Sequence, residues 1–170
     1  MRTGLVSLAS IALLAGCALP VGSPSPPPER STAPSALGPT ESRIFDLING
    51  QRRHQGLAAV VYNPELDRMA KIQAQNMARF EKMAHVLPES SLPTLVDRAH
   101  YAGYQFGRIA ENVAEGFPSA QTVVDGWMAS KGHRANILDR DVMETGIGIA
   151  RSPNGVLYFC QVFGRHQRQL

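Results

Sequence analysis

The spacing of apolar residues changes from a helical period to a strand period along the chain, and this change limits the fold more than any other feature. The segment that begins N63-P-E-L-D places Asn at a helix N-cap, Pro at the first helical position and apolar residues at helical spacing to about Met83. Two apolar runs near the C-terminal end, T145-G-I-G-I-A-R151 and V156-L-Y-F-C-Q-V-F163, are typical of strands, and the N-G pair between them is typical of a tight hairpin turn. Helices followed by an antiparallel hairpin predict an α+β layer structure.

Three further helices and one short strand complete the predicted elements. Thr40 is placed to cap a helix that ends near Gly56, a third helix is predicted over 92–102, and a fourth begins with Ser119 as its cap. A shorter strand is predicted over 107–113.

The first 16 residues have the features of an export signal. A basic start is followed by an apolar run of about ten residues, which is too short to cross a bilayer core of roughly 30 Å as a helix. The next residues, L14-A-G-C17, resemble the lipobox of bacterial lipoproteins, in which the cysteine is diacylated and becomes the new N-terminus. We therefore predict a lipoprotein signal peptide over 1–16 and acylation of Cys17, with an ordinary signal peptide and an accidental cysteine as the alternative.

A proline-rich tether is predicted over 17–40, because this segment has seven of the twelve prolines and little apolar sequence with which to join a core. The remaining residues predict one domain over 41–166 and a short tail over 167–170. Ala18 follows the cysteine, whereas Asp is the signal for retention in the inner membrane. The sequence thus predicts a lipid-anchored protein of the bacterial cell envelope, located in the outer membrane.

Charge and cysteine content narrow the partners further. A formal net charge of +3 is too small to predict a nucleic-acid partner. The chain has two cysteines, so acylation of Cys17 leaves Cys160 without a disulfide partner. Because Cys160 lies within an apolar run, we expect it to act as a small buried apolar residue.

Six motifs in a fixed order carry a family resemblance. They are M83-A-H85, D97-R-A-H-Y-A-G-Y104, A110-E-N-V113, V124-D-G-W-M-A-S-K-G-H-R-A-N-I-L138, E144-T-G-I-G-I-A150 and Y158-F-C-Q-V-F-G164. In this order and spacing, the chain resembles bacterial members of the CAP superfamily, which comprises the cysteine-rich secretory, antigen five and pathogenesis-related proteins and is also called SCP-like. The resemblance implies a three-layer α-β-α sandwich, with a small antiparallel sheet and a cleft on one side.

The resemblance also implies a cleft tetrad of two His and two Glu. His85, Glu111 and His133 match three of these positions, and Ser130 stands where eukaryotic members have the second Glu. Two imidazoles and a carboxylate are ordinary zinc ligands, and some members hold a divalent ion there, so the expected cofactor is at most a weakly bound metal such as zinc. Alternatively, Glu111 and the two histidines form a hydrogen-bonded network that fixes the cleft wall.

Two classes of function remain open at the level of sequence. We favour a non-enzymatic binding module whose cleft or groove takes a small amphipathic ligand, a lipid or a cell-envelope component. The alternative is a hydrolase of peptide or envelope polymers, either metal-assisted or using Ser130, His133 and Glu111 as a triad. No G-x-S-x-G motif supports that triad.

Three other residues of the motifs receive structural roles. Trp127, the single tryptophan, is expected in the core. Arg98 and Arg134 are expected to pair with acidic residues such as Glu144.

Overall fold

The computed structural model describes residues 37–167. The elements, in chain order, are α1 (Pro39–His54), β1 (Val61–Tyr62), α2 (Pro64–Phe80), α3 (Leu95–Ala102), β2 (Phe106–Glu115), α4 (Ala120–Ala129), α5 (Lys131–Ile137), β3 (Glu144–Arg151) and β4 (Leu157–His166). None of the helices described over 37–167 has the length and apolar character needed to cross a membrane. The predictions for the signal peptide, for Cys17, for most of the tether and for residues 168–170 lie outside the described residues.

The sheet lies between two layers of helices. Its strand order is β1-β3-β4-β2, with β4 antiparallel to both of its neighbours and β1 parallel to β3. Side chains of β4 alternate between the two faces: Cys160 and Val162 pack with α2 and α3, whereas Phe159 and Phe163 pack with α1, α4 and α5. This arrangement confirms the predicted α-β-α sandwich.

Strand β1 was not predicted, because two residues are too few to show a strand period. The backbone N–H of Val61 donates to the carbonyl of Met143 at 2.9 Å, which joins β1 to the start of β3. Val60 is the residue just before β1. Its N–H donates to the Asn49 side-chain oxygen at 2.9 Å, and its carbonyl accepts from the Asn49 amide at 3.0 Å. Helix α1 therefore holds the approach to this edge strand.

The connection between β3 and β4 differs from the predicted two-residue turn. It spans residues 152–156, and the Ser152 N–H donates to the carbonyl of Val156 at 2.9 Å. Gly155 has a φ of +89°, but Asn154 does not adopt a left-handed conformation. Instead, the Asn154 side-chain oxygen accepts hydrogen bonds from the Ser152 hydroxyl and the Val156 N–H, so this residue stabilises a longer loop through its side chain.

Three predicted helix boundaries were wrong by a few residues. Helix α1 has Gly38 as its N-cap and Pro39 at its first position, so Thr40 lies inside the helix. Helix α2 ends at Phe80, before the predicted end, because Glu81 adopts a left-handed conformation with φ 50°. Helix α3 begins after Thr94, which forms a capping box, and not at residue 92.

Leu37 packs into the core although the sequence assigned it to the tether. It is 8% exposed and belongs to the same apolar cluster as Ile44 and Phe45 of α1. The packed domain therefore includes residues 37–40, and a fragment that begins at residue 41 would lack the first residues of α1 and one core side chain.

Helix α2 lies directly against the sheet because two residues of β3 have no side chain. A Cβ at Gly146 or Gly148 would overlap the backbone of α2, near Asp67 and Ala70 respectively. Close approach of a helix to a strand requires glycine at such positions. The glycines thus set the distance between these two layers.

Candidate functional site

The motif around Trp127 contains the end of one helix and the whole of a second, short helix. Helix α4 ends at Ala129, and Ser130 is extended, with φ −85° and ψ 125°. Helix α5 then begins at Lys131 and carries His133 in its first turn. Ser130, the position where relatives have a second Glu, is therefore the joint between two helices.

Two asparagines attach α5 to strand β2. The side-chain amide of Asn112 donates to the backbone carbonyl of His133 at 3.2 Å. The amide of Asn136 donates to the carbonyl of Glu111 at 3.2 Å and to the side-chain oxygen of Asn112 at 2.9 Å. These bonds fix the backbone of His133 relative to that of Glu111.

Trp127 has both a packing role and a polar role. Its side chain is 1% exposed, which confirms the predicted core position. Its indole N–H donates to the backbone carbonyl of Val113 at 3.2 Å. Strand β2 is at the edge of the sheet, so Trp127 and Asn136 together satisfy outward-facing carbonyls that would otherwise be available to another strand.

Glu111 is the centre of a hydrogen-bonded network on the α2–α3 face of the sheet. One carboxylate oxygen lies 3.0 Å from Nδ1 of His85, and the other accepts from Nη2 of Arg98 at 2.5 Å. The Cys160 thiol lies 3.4 Å from the second oxygen. The Glu111 and Arg98 side chains are 3% and 0% exposed, whereas His85 is 55% exposed, so a buried ion pair supports an accessible imidazole.

Arg98 therefore pairs with Glu111, whereas the sequence had suggested a pair with an acid such as Glu144. Arg134 also does not pair with Glu144, and its guanidinium donates to the carbonyl of Met128 at 3.1 Å. Among the described residues, Nε and Nη1 of Arg98 are buried without a hydrogen-bond partner. The charge of Arg98 thus depends on a single carboxylate, which makes the pair sensitive to loss of either member.

The environments of the two histidines shift their pKa values in opposite directions. The hydrogen bond to Glu111 raises the pKa of His85, and the negative charge of that carboxylate adds to the effect. Burial lowers the pKa of His133, and the positive charge on His85 lowers it further. Burial also raises the pKa of the Cys160 thiol, so Cys160 is an inert apolar residue, as predicted.

A cavity of about 250 Å³ lies beside His133. Its walls are mainly apolar and come from strand β2, helix α4, the connection between these two elements and the segment after α2: Met83, Val113, Ala114, Phe117, Gly126 and Trp127. The polar side chains that border it are Glu115, Ser130 and His133. We call this cavity the cleft.

The residues of the tetrad do not fit a metal ion. Within residues 37–167, no group of three His, Cys, Asp or Glu side chains is arranged to hold one. The donor chemistry explains this result, because both oxygens of Glu111 are engaged and one of them contacts the permanent positive charge of Arg98. A divalent ion at Glu111 would have to displace the buried guanidinium of Arg98. The alternative interpretation, in which Glu111 belongs to a hydrogen-bonded network, therefore describes these residues better.

The hydrogen bonds among the described residues do not assemble the alternative triad of Ser130, His133 and Glu111. The histidine that Glu111 contacts is His85, and the remaining oxygen is held by Arg98. The Ser130 side chain makes no capping hydrogen bond at α5, and none of the hydrogen bonds in this part of the chain joins it to His133. A hydrolase triad requires a base that is hydrogen-bonded to both the nucleophile and the orienting carboxylate, and none of the hydrogen bonds described over 37–167 joins the His133 ring to either.

Arg52 supports the site from the other side, and sequence reasoning missed it. Its guanidinium is buried and donates to the carbonyl of Ile137, which ends α5, at 2.7 Å and to that of Asp139, which follows α5, at 2.8 Å. It also donates to the carbonyls of Ala58 and Val142 at 2.8 and 3.3 Å. An arginine in the last turn of an amphipathic helix is usually exposed. Only the position of Arg52 on the same helix face as two buried residues, Ile48 and Asn49, could have indicated this role.

The opposite pKa shifts predict opposite effects of pH on two variants. The raised pKa of His85 gives stability that is present below its unfolded pKa of about 6.5 and is lost as pH rises through the higher folded value. His85→Gln should therefore lower the melting temperature more at pH 5.5 than at pH 8.5. The lowered pKa of His133 has the reverse sign, because the unfolded state gains a proton first, so His133→Gln should be less harmful at pH 5.5 than at pH 8.5.

Thermal melts of both variants at the two pH values test this prediction, with His54→Gln as an exposed control that does not border the cleft. A loss of melting temperature that is the same at both pH values for His85→Gln would contradict it.

Comparisons with known proteins agree with the geometry. Residues 45–163 match the model of the CAP family, described as the cysteine-rich secretory protein family. The chain is 30% identical over 135 residues to the uncharacterized protein YkwD of Bacillus subtilis (strain 168), which covers 79% of this chain and 51% of that protein. It also matches the uncharacterized membrane protein YlbC of the same organism, with 28% identity over 73% of this chain and 34% of that protein. The chain thus spans about half or less of the length of these curated relatives.

Solved structures show the same fold. An extracellular protein containing a SCP domain from Bacillus anthracis superimposes with a TM-score of 0.66 and 26% identity, over 74% of this chain and 40% of that one. An outer surface protein of Borrelia burgdorferi has a TM-score of 0.66 and 21% identity, over 73% of this chain and 90% of that one, which is a likeness of fold. With its family model matched over 45–163 and these structural neighbours, the chain belongs to the CAP family of cysteine-rich secretory proteins.

Proposed function

We propose that this chain is an exported, lipid-anchored CAP protein whose domain is a non-enzymatic binding module, and that the cleft takes the apolar part of a small amphipathic ligand such as a lipid or another cell-envelope component. The observation that carries this proposal is the composition of the cleft. Its walls are apolar, and two of its polar side chains, Ser130 and His133, come from one short stretch at the start of α5.

The cleft has the features of a small-molecule site. Such sites are concave and mainly apolar, with a few polar groups that orient the ligand. Trp127 and Phe117 supply aromatic surface, and the ring of Phe117 lies directly on Gly126, where a Cβ would overlap it. Because its pKa is lowered, the imidazole of His133 favours its neutral form, which can donate and accept a hydrogen bond. A hydroxyl or amide on the ligand would satisfy it.

The network around Glu111 supports binding over catalysis. A catalytic carboxylate has to orient or exchange protons with a reacting group, and Glu111 is committed to Arg98 and His85. None of the side-chain hydrogen bonds described over residues 37–167 joins the Ser130 hydroxyl to a base, which a nucleophilic serine needs. The roles that remain for these residues are to fix the cleft wall and to set its charge.

Export and anchoring are supported by the N-terminal sequence and by relatives. The apolar run and L14-A-G-C17 are features of a lipoprotein signal. The names of two structural neighbours describe an extracellular protein and an outer surface protein. A diacyl anchor at Cys17 with the proline-rich tether would hold the domain away from an outer membrane surface.

The cleft can be tested with the intrinsic fluorescence of Trp127, which is the only tryptophan of the chain and lines the cleft. A brominated medium-chain monoacylglycerol should quench this fluorescence saturably, because bromine quenches on contact. Met83→Gln should weaken binding about three- to tenfold, because it puts a polar amide on the apolar wall of the cleft. Met83 is 46% exposed, so this substitution should not disturb the core.

Val96→Gln is the matched control, because Val96 is 44% exposed but lies on α3 outside the cleft. It should bind like the wild type. Equal weakening in both variants, or no saturable quenching, would refute the binding proposal. Hydrolysis of the probe during the titration would favour the enzymatic alternative.

Acylation of Cys17 gives a separate prediction. Cys17→Ser removes the sulfur that carries the lipid, so the variant should leave the membrane fraction and appear in the soluble extract. Fractionation followed by immunoblotting measures this, and Ala18→Ser, which retains the cysteine, should remain with the outer membrane. Retention of Cys17→Ser in the membrane would argue against a lipid anchor.

A further inference from the structure

A second cluster of polar side chains lies where β3 begins and β4 ends. Glu144 is the first residue of β3, His166 is the last of β4, and Tyr104 follows α3. The groove beside them shares no lining residue with the cleft, so the two sites are independent.

Glu144 is held in place but keeps capacity to accept hydrogen bonds. One carboxylate oxygen accepts from the Asn63 amide at 3.2 Å, and Oε2 accepts from the Tyr104 hydroxyl at 2.6 Å. Burial and the neighbouring Glu144 raise the pKa of Tyr104, so its hydroxyl remains a donor. An ionised carboxylate has about four lone-pair positions, so about two are free. The side chain is 19% exposed, which leaves it reachable from solvent.

The orientation of the His166 ring follows from its other contact. Its Nδ1 lies 3.1 Å from the backbone carbonyl of Gln105, and a carbonyl can only accept, so Nδ1 carries the hydrogen. In the tautomer with the hydrogen on Nδ1, the lone pair is at Nε2, which lies 3.8 Å from Oε2 of Glu144. Packing of the ring against Tyr104, with centroids 4.3 Å apart, helps to hold this orientation. Two acceptors, Oε2 of Glu144 and Nε2 of His166, thus lie close together at the same groove.

An apolar wall adjoins this pair of acceptors. The groove has a volume of about 430 Å³ and is lined by Val61, Met143, Glu144, Arg165, His166 and Gln167. Val61 and Met143 are each 55% exposed, which is high for apolar side chains in a folded domain. The cation of Arg165 lies 3.6 Å from Asp141, which offsets its charge, so the groove retains the negative charge of Glu144.

We propose that this groove binds a primary ammonium group on a short apolar stem, as in a lysine side chain. The ammonium donates to Oε2 of Glu144 and Nε2 of His166, and the stem lies along Val61 and Met143. An ammonium has three donors and no acceptor, so it can serve both acceptors at once. A hydroxyl has one donor and can serve only one of them, and a carboxylate would be repelled by Glu144.

The test compares two probes that differ only in the ammonium group: the methylamides of Nα-acetyl-lysine and Nα-acetyl-norleucine. Each is titrated into the full chain with Cys17→Ser at pH 7.5, and the NMR signal of the His166 ring is followed. The lysine probe should shift this signal saturably, with a dissociation constant on the order of 1 mM, and the norleucine probe should not. Glu144→Gln should weaken binding about tenfold, because a charge-assisted hydrogen bond is lost.

Glu89→Gln is the matched control, because it removes a carboxylate that lies outside the groove. It should bind the lysine probe like the wild type. Met143→Gln changes an exposed side chain without touching the polar cluster, so it tests the apolar wall even if Glu144→Gln disturbs the fold, and it should weaken binding several-fold. The proposal is overturned if the norleucine probe binds equally well, if binding does not saturate, or if neither groove variant differs from Glu89→Gln.

Discussion

Replacing Glu111 with Leu should lower the free energy of unfolding by about 3 to 5 kcal/mol, the largest loss we expect from a single change at the candidate site. The variant leaves Arg98 fully buried with a positive charge and without its carboxylate. It also removes the acceptor of His85 and of the Cys160 thiol. Urea denaturation, followed by Trp127 fluorescence, measures the change.

The double variant Arg98→Met, Glu111→Leu separates the cost of an orphaned charge from the contribution of the pair. Replacing both members of a buried ion pair with apolar side chains is often nearly neutral. We therefore expect the double variant to recover most of the loss seen in Glu111→Leu. If it is as unstable as the single variant, the stabilising contribution lies in the network itself, and an unpaired charge is not the cause of the loss.

Arg52→Met should cost about 3 kcal/mol or more. Arg52 donates to four carbonyls from three segments, and an apolar side chain of similar length leaves these acceptors without their charged donor. Three of the four carbonyls end α5 or lie in the connection that follows it, so the loss should also loosen the segment that carries His133. The urea transition measures the stability, and quenching by the brominated probe reports whether the cleft is retained.

Arg53→Met is a close control, since Arg53 is the next residue of α1 and is exposed. A surface substitution of this kind should change stability by no more than about 0.5 kcal/mol. Equal effects of the two substitutions would mean that Arg52 contributes only a charge and not its specific hydrogen bonds.

The helices were largely predictable because their ends are marked by local chemistry. Asn63 caps α2 and Ser119 caps α4 as predicted, and each side chain accepts a hydrogen bond from the backbone of the first turn. Gly103 ends α3 with φ 81°, as a glycine at a helix C-terminus should. These signals act over a few residues, so a single sequence is enough to recognise them.

The joint at Ser130 and strand β1 were not predicted, because their causes are not local. Ser130 makes no side-chain cap that would mark the start of α5, and the break is stabilised by Asn112 and Asn136 through β2. Strand β1 exists because Val61 pairs with Met143, far along the chain. Both depend on tertiary contacts that override local preference.

The sequence predicted which residues belong to the candidate site, but it did not predict which of them pair with each other. The family resemblance identified His85 and Glu111, and the structure brings them into contact. The partner of Arg98 was misassigned to Glu144 because both acids lie in strands, and only the register of the sheet decides which one lies beside Arg98. Glu111 opposes Val162 of β4, on the same face as Cys160, and this places its carboxylate beside Arg98.

The side chains that cover strand β2 should also limit association between neighbouring copies of the domain at high density. Copies held on one membrane by the proposed lipid anchor are confined to a thin layer and collide often, and an open strand edge would let their sheets join into fibres. Trp127 and Asn136 already occupy carbonyls along β2, and the opposite edge, β1, is only two residues long. Neither edge of the sheet described over 37–167 offers a continuous template to a neighbour, so crowding at the proposed location is expected to leave the domains as separate units.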